Sequence, residues 1–222
     1  GWIRLKKNKA AMVSLFVLIV IVLTAILAPF FSQYSYYDTN YDKVYQPPNG
    51  EHWFGTDKFG RDQWVRVWEG TRISLFIALL AATLDLIIGV AYGSIAALYG
   101  GKVDSFMQRI IEILVGIPNL VIIILLMMVL KPGIITLTVA MVLTGWVTMA
   151  RLVRAQIFKL KNQEFILASR TLGAKNSRLI LKHLIPNTLG IIIINMMFTI
   201  PGAIFTEAFL SFIGLGLQEP QA

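Results

Sequence analysis

EFILASRTLGAKNSRLILKHLIP, residues 164–186, is a polar and strongly basic segment set between two long apolar runs. From Arg151 to Lys182 the chain carries eight Lys or Arg (Arg151, Arg154, Lys159, Lys161, Arg170, Lys175, Arg178 and Lys182) against one acid, Glu164. Charge of this density is too costly to sit in hydrocarbon, so the segment is a loop at a membrane surface and its flanks are spans. The positive-inside rule places it in the cytoplasm.

Composition agrees with that reading. The 222 residues are 56% hydrophobic and 14% charged, with a mean hydropathy of +0.70, far too apolar for a soluble domain. A bilayer core of about 30 Å asks roughly 20 predominantly apolar residues of each helix. Five stretches qualify, near 11–31, 73–98, 106–130, 134–150 and 188–206. The expected fold is therefore an all-α polytopic helical bundle, one transmembrane domain over 1–222 with an external loop at 32–72 and a cytoplasmic loop at 151–187. With Arg4, Lys6, Lys7 and Lys9 inside, fourteen Lys or Arg fall on the cytoplasmic side and six on the other. The net charge of +8 thus reports topology and attraction to anionic membrane lipid, and no nucleic-acid partner is expected.

The first run, MVSLFVLIVIVLTAILAPFF at 12–31, is too long for a signal-peptide core and reads as a retained anchor. The chain opens on Gly1 rather than Met, and five spans leave Glu219 to Ala222 outside, so a longer subunit is expected. With no cysteine, disulfides and thiol chemistry are excluded. The two histidines, His52 and His183, fall on opposite faces of the membrane and cannot share a metal. No Ser-His-Asp set or carboxylate pair assembles in one compartment, so no catalytic and no metal residues are expected.

The spans carry their own marks. Gly89 and Gly93, four apart and followed by Ser94 and Ala97, let helix backbones approach closely, either inside the subunit or against another one. Asp85 is the one acid near the middle of its span and is either a functional charge or a satisfied structural hydrogen bond. Pro118, between Gly116 and Asn119, should kink the third span, as broken helices do at transporter sites. Arg109 and Glu112 read as an i,i+3 pair. Lys131-Pro132-Gly133 reads as a tight outer turn.

In the external loop, Tyr34, Tyr36, Tyr37, Tyr41 and Tyr45 suit the membrane interface. GTDKFGRD at 55–62 has a superficial P-loop spacing, but Arg61 and Asp62 stand where Lys and Ser/Thr would hold phosphate and magnesium. It reads as a Gly-punctuated turn with local Asp–Arg pairs, or as a contact for an external protein. Residues 162–186 read as a helix, a turn at Gly173-Ala174 that needs glycine's tolerance of positive φ, and a second amphipathic helix whose apolar residues include Leu179, Ile180 and Leu184. Such a helix could fill a partner's groove or lie on lipid.

Leu167-Ala168-Ser169, followed by Gly173 and Pro186, resembles the "EAA" loop of bacterial ABC importer permeases. It departs from that pattern where the glutamate falls on Leu167, the second alanine is Ser169, and His183 and Ile185 replace an isoleucine and a leucine. The octet Gly55-Thr56-Asp57-Lys58-Phe59-Gly60-Arg61-Asp62, with HWFGTD from His52, is similar to a motif of the C-type permease subunit of oligopeptide, dipeptide and nickel importers. The resemblance runs from the basic N-terminus to FLSFIGLGLQEP at 209–220. It implies the type I importer bundle with a sixth span beyond this sequence, in the bacterial cytoplasmic membrane with the N-terminus inside. It also implies half of a translocation path for oligopeptides, completed by a second homologous permease. Two cytoplasmic ATPase subunits or domains, which would carry ATP and magnesium, and an external solute-binding protein complete the machine. Glu164, Ala168, Ser169, Gly173, Ala174 and Pro186 would form the ATPase-coupling loop. The same machinery importing dipeptides, nickel or another small solute is an alternative. A channel-like or structural membrane protein with a lipid-bound loop is another, of a different class.

Overall fold

The computed structural model describes residues 2–130 and 133–217, which fold as two compact units, one within 2–76 and one within 77–217. Lys131, Pro132 and residues 218–222 lie outside the described residues, so the outer turn and the last part of the C-terminal motif are not placed.

In the first unit a short α1 (Trp2–Lys7) leads to α2 (Lys9–Phe31), whose first turn is capped by Asn8 Oδ1 accepting from the Ala11 N–H at 3.2 Å. Twenty-three residues at 1.5 Å each reach about 35 Å, enough to cross a bilayer core. Only Ala25 of this helix is buried, and most of its apolar side chains are exposed. The loop that follows is hydrogen-bonded upon itself and ends at Asp62, whose Oδ1 accepts from the Val65 N–H at 2.9 Å and caps α3 (Gln63–Tyr99).

The second unit takes up the later part of α3. Gly100 and Gly101 turn the chain into α4 (Gly101–Gly116), which stops where Ile117 is extended ahead of Pro118. The helix resumes as α5 (Asn119–Val129), bent by 76° from α4. The third apolar stretch is therefore a broken pair, as a proline that blocks the αR region in its predecessor requires. Next come α6 (Ile134–Leu160), α7 (Glu164–Thr171) and α8 (Asn176–Phe212). Residues Leu179–Leu184 of α8 form a π turn, sealed by the Ile185 N–H donating to the Ile180 carbonyl, just before Pro186. Widening the helix there eases the clash of the proline ring with the preceding turn. Among the described residues four helices are long and apolar enough to span a membrane, and counting the bent pair as one span gives five.

The two small residues of α3 pack inside the subunit. A Cβ at Gly89 would stand 2.6 Å from Met149 Cβ and 2.8 Å from the Trp146 carbonyl, and one at Gly93 would meet the Ala150 carbonyl, all on α6. Around this crossing Ala97, Met149, Val153 and Ile157 join Ile166, Leu179, Leu184 and Ile192 in one core. A second cluster gathers Ile111, Trp146, Val147 and Ala150, with the Tyr92 ring 4.6 Å from that of Trp146.

Candidate functional site

The loop after α6 ends its first helix on a complete Schellman turn. Gly173 holds φ +81°, its N–H donates to the Arg170 carbonyl at 3.0 Å, and the Ala174 N–H donates to the Ser169 carbonyl at 3.1 Å. That conformation favours glycine and satisfies the last carbonyls of α7. The loop then has two faces. Ile166, Leu179 and Leu184 are fully buried against Ala97, Val153 and Ile157, with Ile180 and Ala174 partly buried beside them. Phe165, Leu167, Leu172 and Leu181 face outward, Leu172 at 88% and Leu181 at 69% exposure. The apolar residues expected to seek a partner's groove, Leu179, Ile180 and Leu184, are thus used in the subunit's own core, because the helix folds back onto α3 and α6. Glu164, Ala168 and Pro186 are exposed, and Ser169 is half-buried with its Oγ 3.4 Å from His183 Nε2.

Part of the basic charge is also spent internally. Arg154 forks onto both carboxylate oxygens of Asp104, joining α6 to α4. Phe158 lies under the Arg154 guanidinium at 4.7 Å and under Lys161 Nζ at 3.9 Å. Lys161 Nζ also donates to the Ala97 carbonyl at 3.0 Å, near the C-terminus of α3 where a cation is favoured. Arg109 and Glu112 form the expected pair at 2.9 Å on the surface of α4.

The octet at 55–62 builds its own loop. Asp57 Oδ1 accepts from the Phe59 N–H at 2.8 Å and the Arg61 N–H at 3.0 Å, and Oδ2 accepts from Arg61 Nε at 2.7 Å. Burial alone would push this carboxyl up. The two backbone N–H groups and the Arg61 guanidinium outweigh it and hold Asp57 below the usual carboxylate range. Thr56 donates to the Lys43 carbonyl, accepts from the Gln46 N–H at 2.8 Å, and bridges to Asp62 through the backbone. Asp62 adds a contact with His52 Nδ1 at 2.8 Å, and that ring packs 4.6 Å from the ring of Tyr34. Side chains at Gly55 and Gly60 would strike the carbonyls of Gln46 and Asn40. Thr56, Gly60, Arg61 and Asp62 are buried, so the motif's geometry is that of an internal frame.

In the second unit, α3, α5, α6 and α8 line an open cavity of about 380 Å³ that includes Asp85, Asn119, Gly145, Thr148, Asn195 and Thr199. Asp85 is 6% exposed, and among the described residues it makes no hydrogen bond or ion pair; its Oδ1 is buried without a partner. A Cβ at Gly145 would stand 2.8 Å from that oxygen. Asn119 reaches the same cavity because the break at Pro118 starts α5 there, and its Oδ1 accepts from Thr144 Oγ1. Among the described residues no group of three metal-ligating side chains occurs.

Sequence reasoning placed Asp85 and Asn119 but passed over Gly145, Thr148, Asn195 and Thr199. Their signal is a helical stripe of small and polar residues, Asn195, Thr199, Gly202 and Thr206 on α8, legible only once a facing acid marks the side. It also missed Asp104, whose role depends on a partner fifty residues away, and the outward Leu172 and Leu181.

A bundle of membrane-spanning helices with a polar cavity among its apolar walls, and a basic helical hairpin locked to its end, defines a polytopic permease subunit. Residues 89–222 match the family described as "Binding-protein-dependent transport system inner membrane component", and residues 1–48 match the N-terminal TM domain of oligopeptide transport permease C. The chain belongs to this family of inner-membrane permease subunits. It is 54% identical to the oligopeptide transport system permease protein OppC of Bacillus subtilis (strain 168) over 99% of this chain and 72% of that one. It is 52% identical to the dipeptide transport system permease protein DppC of the same organism, over 100% and 69% of the two chains. OppC of Escherichia coli (strain K12) is 43% identical over 98% and 72%. The chain is thus a transporter subunit rather than an enzyme, and works with a binding protein and an ATPase.

Proposed function

We propose that this subunit imports oligopeptides, forming half of the translocation path beside a second homologous permease. Two cytoplasmic ATPase subunits or domains, holding ATP and magnesium, supply the energy, and an external binding protein delivers the peptide. In this reading the N-terminus and the loop 151–187 are cytoplasmic and the loop 32–72 is external, in accord with the distribution of Lys and Arg. Peptide as substrate follows the relatives, which are oligopeptide and dipeptide transport permeases.

The observation that carries the coupling role is the two-faced hairpin. Its outer face offers Leu172, at the end of α7, and Leu181, on the π segment of α8, as exposed apolar anchors for a partner. Its inner face is packed into α3, α6 and α8 through Ile166, Leu179 and Leu184. An ATPase that closes on ATP and drags the outer face must therefore move the helices that line the cavity, since packed cores transmit displacement. The test is co-purification of the ATPases with a tagged permease carrying Leu172→Asp and Leu181→Asp. The ATPases should be lost while the second permease is retained. Retention of the ATPases, with the loop instead losing its contact with anionic vesicles, would favour a lipid-bound loop.

A further inference from the structure

We infer that Asp85 is a subsite for the α-ammonium group of a peptide in transit, an assignment that rests on the peptide-import reading. Asp85 stands midway along the apolar stretch 73–98, where an uncompensated carboxylate is costly. Asp85 is among the residues that line the cavity, and its Oδ1 is buried with no partner among the described residues. The cavity's walls contain no Lys, Arg or His to compensate it. A cation from outside the chain would compensate it, and the passenger is the natural source: every linear peptide with a free N-terminus brings an α-ammonium whatever its sequence. Asn119, Thr148, Asn195 and Thr199, around the same space, provide amide and hydroxyl groups that suit peptide N–H and C=O without reading side chains. Gly145 leaves the room in which the carboxyl sits, since any larger residue would press upon it.

The experiment uses the whole reconstituted transporter with its ATPases, second permease and binding protein. It compares uptake of radiolabelled tri-alanine with that of N-acetyl-tri-alanine, the binding protein being saturated with each. Wild type should prefer the free amine. In Asp85→Asn that preference should fall by about tenfold to a hundredfold, the scale of one hydrogen-bonded charge. Asp85→Glu, which keeps the charge, should recover most of it, a rescue that a merely structural role would not produce. A preference unchanged in Asp85→Asn, or equal losses for both peptides, overturns the assignment. So does an Asp85→Asn subunit that no longer brings the second permease, which would make Asp85 the partner of a residue on that subunit. Should wild type take up neither peptide while its ATPases respond to the binding protein, the peptide reading itself fails and the assignment falls with it.

Discussion

Gly173 holds φ +81° at the end of α7 with open space around it, so it is the backbone conformation and not crowding that disfavours other residues. Gly173→Val should cost about 1–3 kcal/mol of local strain and disturb the turn that presents Leu172. Substrate-stimulated ATP hydrolysis in reconstituted vesicles should drop, whereas Lys175→Gln and Arg178→Gln, on exposed positions, should change it little, since surface charges are usually worth about 0–1 kcal/mol. Asp57 offers a second check. Its pKa is depressed in the folded loop, so its contribution is present above the ordinary aspartate value of about 4 and is lost as pH falls through the lower folded value. Protease cleavage within residues 32–62 should therefore be faster in wild type once the pH is low enough to protonate Asp57 than it is at about pH 7. Asp57→Asn should be cleaved readily at both. Gly173 was legible in the sequence because only one residue type tolerates its conformation cheaply. The buried end of Leu179 and Leu184 was legible as an apolar stripe, but a stripe states that something covers it and not what.

At the scale of elements, the α3–α6 crossing depends on Gly89 and Gly93. The pair was readable from its spacing, and the structure settles which surface it serves by setting it on Met149, Ala150 and Val153 of the same chain. Gly93→Leu should push backbone from backbone and lower the thermal midpoint of the purified subunit by several degrees, from about 1–3 kcal/mol of overpacking. An unchanged midpoint would place that face elsewhere. The third span was legible as apolar and as kinked at Pro118. Its division into α4 and α5 with a 76° bend was not, because a proline fixes where a helix breaks while neighbouring helices fix how far it turns. The π turn at Leu179–Leu184 left no mark in the sequence beyond Pro186 following it.

For the whole molecule, the pattern of apolar helices and the family were the most readable features, since they rest on long averages of hydropathy and on motifs spread from His52 to Pro186. The polar cavity was the least readable, because its walls come from four helices and only their packing brings Asp85, Asn119 and Asn195 together. The central claim is that this subunit passes peptide inward under the power of cytoplasmic ATPases that act through residues 164–186. Its most direct test is uptake of tri-alanine into vesicles holding the complete transporter, with ATP enclosed and binding protein added outside, each omitted in turn. The account predicts accumulation only when both are present, and none in the Leu172→Asp, Leu181→Asp double variant. Uptake without ATP, or undiminished uptake in that variant, would contradict it.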